Sequence, residues 1–160
     1  MKVLNKDKEN AIKELKVFIT LKAKECMAYG WNYHLCENAP ERFKGLKEKT
    51  LNYNIPISKE GSNKTIYGSE VNTLFRFWHD VTHLTLNKSF SEKGELAVIK
   101  EHLKDGKEYG LSNLALFILK ADTEGQVKYY FKHKEFVNNQ AAFIDTCIQY
   151  DIKHAMRFKH

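Results

Sequence analysis

Apolar residues recur at helical spacing over most of the chain. Between about Lys6 and Tyr29, Ala11, Ile12, Leu15, Phe18, Ile19 and Leu21 fall on one side of a 3.6-residue period, which predicts an amphipathic helix ending near Gly30. A second periodic run follows Ser69, whose hydroxyl can accept an orphan backbone N–H, and predicts a helix from Glu70 to Leu86. Ser91 has the same capping role before a helix from Glu92 to about Lys104, which Asp105 and Gly106 should stop. Ser112 opens another through ALFILKADTEGQVKYYFKHKEF, with Gly125 weakening its middle, and a last helix is predicted from Asn138 to about Phe158. Segment 37–67 holds both prolines, Gly45, Gly61 and a scatter of Asn and Ser, and reads as a short helix followed by an extended loop. The pattern predicts an all-α fold: a single-domain helical bundle over 1–160 with about five to six helices and a loop-rich segment near 37–67. A chain of 160 residues can bury roughly 70% of its unfolded surface, enough for a core.

Composition narrows the setting. Apolar residues make up 42% and charged residues 29%, which excludes extended disorder. No run approaches the roughly 20 apolar residues of a membrane span, and MKVLNKDKENAIKELK lacks the apolar segment of a signal peptide, so a cytoplasmic protein without a membrane partner is expected. Cys26, Cys36 and Cys147 have no CxxC spacing, which argues against a disulfide framework or a thiolate zinc site. The net charge of +6 comes from dispersed lysines with only Arg42, Arg76 and Arg157 as arginines, so a nucleic-acid partner has weak support from charge alone. Lipid, haem and nicotinamide cofactors have no motif.

Chemistry concentrates in FRFWHDVTHLTLNKSF, residues 75–90. On a helix, His79 and His83 lie about 40° apart and Asp80 about 60° from His83, so two imidazoles and a carboxylate project into one sector among Leu74, Phe75, Trp78 and Val81. On the next helix Glu95 and His102 are seven residues apart and within about 20° of one line, though about 10.5 Å apart along the axis. Glu124 in ADTEGQ completes a candidate set of His79, Asp80, His83, Glu95, His102 and Glu124. Imidazole and carboxylate without thiolate suit a divalent metal, whether zinc, iron or manganese, better than a closed structural zinc site. The competing reading makes Glu95 and Glu124 surface charges and His102 a residue near a helix C-terminus. A second arrangement, His34, then His79 and Asp80, then Asp145, is similar to the order of residues in HD phosphohydrolases, which hold a metal in an all-α fold for phosphoester hydrolysis.

From Val71 to about Gln126 the chain resembles a domain of phage proteins, including the large polyvalent proteins of phages and conjugative elements. Three blocks carry the resemblance: Asn72, Phe75, Arg76, Trp78, His79 and Asp80 with His83; then Phe90, Gly94, Glu95 and His102; then Thr123, Glu124, Gly125 and Gln126. In the polyvalent version a glycine precedes the second histidine at one residue longer spacing, where this chain has Thr82 and the compact HDVTH. The resemblance implies a metal site within 71–126 and a phage or mobile-element origin, hence a host cytoplasm.

Three functions follow from these residues. The first is a metal-dependent hydrolase acting on a small molecule or phosphoester, with Glu95 or Glu124 taking a proton from metal-activated water and Arg76 holding an anionic group or pairing with Asp80. The second is a di-iron or di-manganese oxidase or oxygenase, although the tandem ExxH motifs of that class are absent. The third is a non-enzymatic phage protein that binds a host component, any metal serving to hold helices together. Residues 51–67 read as an ordinary surface loop or a lid over the site.

Overall fold

A computed structural model describes Val3, residues 5–60 and residues 65–160. The chain is mostly helical, in the order α1 (Asn5–Ala28), β1 (Asn32–Cys36), α2 (Phe43–Lys49), β2 (Asn54–Ser58), α3 (Ser69–Leu86), α4 (Glu92–Tyr109), α5 (Asn113–Lys120), a π-helical turn (Ala121–Gly125), α6 (Gln126–His133), α7 (Gln140–Gln149) and α8 (Ile152–Ala155). None of the described helices is long and apolar enough to cross a membrane. Two compact units emerge, one of residues 17–98 and one of residues 1–16 with 99–160. Residues 1, 2 and 4 of the leader reading and 61–64 of the lid reading lie outside the described residues.

In the unit of residues 17–98, the segment expected to be a loop contains structure. β1 and β2 pair in parallel, with Tyr33 opposite Ile55 and Leu35 opposite Ile57, and α2 lies between them in sequence. Parallel strands require such a crossover, because a tight turn can only reverse the chain. The alternation of Trp31, Tyr33 and Leu35 is a strand signal too short to stand out beside helical periodicities. Ile55 and Ile57 of β2 are buried with Ala23, Leu46, Phe77 and Val81, and this cluster supports one side of α3. Leu46 lets a helix as short as α2 hold its place, since it is the residue of α2 that is buried.

Helix ends follow local chemistry. α3 starts one residue earlier than expected: Gly68, at φ +81°, takes the N-cap position, and Ser69 is the first helical residue. Asn87 closes α3 in the left-handed region at φ 51°, with its backbone N–H on the carbonyls of His83 and Leu84. Asn tolerates that conformation better than most residues because its short polar side chain bonds locally. Ser91 Oγ accepts the Gly94 N–H at 3.1 Å, as a capping serine should. Gly106 does not stop α4, which runs on to Tyr109 before Gly110 at φ +93°.

In the unit of residues 1–16 and 99–160, Ser112 caps α5 through the Ala115 N–H. The expected weakness at Gly125 takes the form of a π-helical turn, which widens the ladder without ending the helix. A Cβ at Gly125 would lie 3.3 Å from Phe143 and Ile152, so the glycine lets α7 and α8 pack closely. The expected final helix is broken at Tyr150, and Asp151 restarts it as α8 by accepting the His154 N–H. Leu15, Ile118, Leu119, Tyr129 and Phe143 are fully buried here.

Candidate metal centre

His79 and His83 stand one turn apart on α3, and Glu95 is the fourth residue of α4. The reversal between these helices delivers the carboxylate. After Asn87, the Lys88 N–H bonds back to the His83 carbonyl at 3.0 Å, and His83 Nδ1 donates to the Lys88 carbonyl at 2.8 Å. The turn therefore fixes the ring of His83 and assigns its Nδ1 proton, leaving Nε2 aimed inward. Phe90 returns edge-on to the His83 ring at 4.8 Å, and Phe43 lies 6.3 Å from it. Gly94 then passes against the backbone of Ser89, where a Cβ would come within 1.9 Å of the Ser89 oxygen. Glu95 follows directly.

Three atoms converge. His79 Nε2 lies 2.9 Å from Glu95 Oε2, His83 Nε2 lies 3.1 Å from the same oxygen, and the two Nε2 atoms are 3.1 Å apart. Among the described residues these three side chains form the group able to share one ion. With Nδ1 of His83 occupied as a donor, neutral His83 presents a lone pair to a carboxylate, a repulsive contact unless a proton or a metal cation intervenes. His79 Nε2, His83 Nε2 and Glu95 Oε2 are the atoms that would hold such an ion.

The electrostatics favour positive charge beside Glu95. Burial pushes the Glu95 carboxyl up, but hydrogen bonds from His79 and His83 outweigh it and hold it down at about 2. Burial lowers His83, yet the hydrogen bond and charge of Glu95, the Lys88 carbonyl and the charge of Asp80 raise it overall. For Asp80, burial pushes the carboxyl up to about 6 against the opposing pull of His79 and His83. His83 is fully buried, whereas the side chains of His79 and Glu95 keep about a fifth of their surface, at 21% and 18%. The centre is enclosed but open on the His79 side.

The other expected residues have different surroundings. Asp80 is half-buried beside the centre and couples to all three members without joining the converging set. Arg76 donates to the carbonyls of Glu60 at 2.7 Å and Ser58 at 3.3 Å, so it clamps the end of β2. Burial lowers the Arg76 pKa, with the Asp80 charge opposing. His102 is fully buried on α4, in the other unit and outside the converging set. Glu124, also in that unit, pairs with Lys128 at 2.5 Å and Lys120 at 3.8 Å. The HD-type partners are likewise occupied elsewhere: His34 Nδ1 contacts Asn54 Oδ1 at 2.9 Å, and Asp145 pairs with Lys8 at 2.7 Å. Lys88, Phe90 and Gly94 shape the centre without being ligands, and the signal for them was Asn87 just past a helix followed by a short return to Ser91.

No family model, curated protein or solved structure matches this chain.

Proposed function

We propose that the chain is a metal-dependent hydrolase in which His79, His83 and Glu95 hold one divalent ion. The convergence of two imidazole nitrogens and one carboxylate oxygen within 3.1 Å carries this reading. Two histidines and one glutamate are a donor set of catalytic zinc, which keeps a further position for water and lowers its pKa to about 7. Asp80, beside the centre and outside the converging set, is the carboxylate suited to take that proton. A phosphoester is the preferred substrate class, and the resemblance of residues 71–126 to a phage domain supports a phage or mobile-element origin. Glu95 serves this reading as a ligand, and Arg76 as a brace for β2.

The test is metal analysis of protein purified without chelator, then repeated for His79→Ala and Glu95→Ala. One zinc, iron or manganese per chain, lost in both folded variants, with metal-dependent hydrolysis of a generic phosphodiester, is the expected result. Unchanged metal content in both variants would overturn the site. The same donor set also occurs in mononuclear non-haem iron centres, so an oxidase or oxygenase is the second reading, favoured if iron(II) loading produces oxygen uptake. Unfolding of the chain on chelation, without any turnover, would instead mark the ion as a helix brace in a host-binding protein.

A further inference from the structure

Away from the metal centre, the unit of residues 1–16 and 99–160 carries exposed rings among cations. Phe136 is 79% exposed, Tyr150 58% and Phe158 57%. Aromatic side chains so exposed lose hydrophobic stabilisation unless something covers them. They are not loose side chains, because each is propped by a neighbour. Phe136 stacks on Tyr130 at 4.6 Å between centroids and 25° between planes. Tyr150 stacks on His154 at 4.4 Å and 25°, and His154 lies 5.5 Å from Phe158, a run spaced at four-residue intervals.

The segments that carry Phe136 and Phe158 are joined to each other. The Asn138 N–H donates to the His160 carbonyl at 2.7 Å, Lys159 pairs with Glu135 at 3.1 Å, and His133 Nε2 donates to the Met156 carbonyl at 2.8 Å. Segments 133–138 and 156–160 are thereby fastened side by side, with Phe136 on one and Phe158 on the other. These segments and their flanks also carry exposed Lys132, Lys134, Lys153 and Arg157. Of the acids within these segments and their flanks, Glu135 is paired with Lys159 and Asp151 caps α8, so the cations are left in excess.

We infer that this surface binds single-stranded nucleic acid. Pre-stacked rings offer flat faces to unpaired bases, and the surrounding cations match the charge of a phosphate backbone. A duplex keeps its base faces internally stacked, so it could use the cations but not the rings. A lipid surface would use the cations and take the rings edge-on, without reward for their stacking geometry.

Fluorescence anisotropy of labelled dT20 and U20 with the full chain tests this, run with and without EDTA so that any effect of a metal is separated from the surface. Binding is expected to weaken steeply as salt rises. Phe136→Ala and Tyr150→Ala should each weaken it about tenfold, the loss typical of one base stack. The pair Lys153→Glu and Arg157→Glu should weaken it and flatten its salt dependence. Circular dichroism checks that these surface variants stay folded. No binding at low salt would overturn the inference. So would binding that survives removal of both rings, or capture by phosphatidylserine vesicles with none by the oligonucleotides.

Discussion

Replacing Gly94 by alanine tests how the α3–α4 reversal builds the centre. The added Cβ would lie 1.9 Å from the Ser89 oxygen and 2.8 Å from its carbonyl carbon. An ordinary carbon–oxygen contact is about 3.3 Å or more, so the backbones must separate by roughly 1.4 Å. Both partners are main chain, one at the start of a helix and one in a tight turn, and neither can swing aside as a flexible side chain would. Overpacking of this kind costs about 1–3 kcal/mol. A domain of this size loses roughly 2–4 °C in Tm per kcal/mol, so a fall of about 2–12 °C is expected. The sharper consequence is at Glu95, the next residue, whose Oε2 must stay within 2.9 Å of His79 and 3.1 Å of His83. A shift of an ångström there removes a ligand of the proposed ion, and metal affinity should drop about 10–100-fold or more, as when a ligand's supporting contacts are lost. Differential scanning fluorimetry with and without zinc, together with competition against a chromophoric chelator, reads both quantities. Gly30→Ala is the control: at φ +97° it strains the backbone but meets nothing within 4 Å, so Tm should fall with metal affinity unchanged. Parental Tm and parental affinity in Gly94→Ala would refute the idea that the Ser89 contact sets the position of Glu95.

Further outcomes follow from the same geometry. In metal-free protein, the stability gained from ionised Glu95 is fully present above its ordinary carboxylate value and lost as pH falls toward about 2, a swing of roughly 3 kcal/mol; acid titration of Tm reads it, and Glu95→Gln should abolish that limb. His83 has the opposite sign, because its raised pKa makes its contribution complete below about 6.5 and lost as pH climbs through the folded value, so metal-free Tm should decline on the alkaline side. Asp80→Asn removes a carboxyl that burial pushes up to about 6, and should stabilise the metal-free protein above that pH by roughly 1–2 kcal/mol and, under the proposed hydrolase reading, abolish turnover. Asn87→Val puts a β-branched residue at φ 51°, which should cost about 1–3 kcal/mol and weaken metal binding through Lys88, whereas Asn87→Gly should be close to neutral in both. In the other unit, buried Asp122 accepts from Gln126 at 2.6 Å and also from Gln140, and Asp122→Ala should lower stability by about 2–3 kcal/mol without touching metal affinity.

Much of this protein was written locally. Periodicity with capping serines places α1, α3 and the beginnings of α4 and α5, because a helix needs only contacts within a few residues and an apolar face at a fixed spacing. For the same reason His79 and His83 could be paired from sequence, since one helical turn brings them together wherever the helix goes. The position of Glu95 on the following helix marks it as a candidate, but its distance depends on the left-handed turn at Asn87, the carbonyl of Lys88 and the close pass of Gly94 over Ser89. The two parallel strands are not legible in the sequence, because their pairing spans the α2 crossover and nothing in five residues specifies a partner about twenty positions away. Helical spacing puts His102 on the face of Glu95, and the ADTEGQ segment of a third helix offers Glu124, yet a shared face is not a shared ion. Only tertiary structure decides which side chains converge on a point, because a metal responds to distances of tenths of an ångström, while periodicity fixes no more than direction.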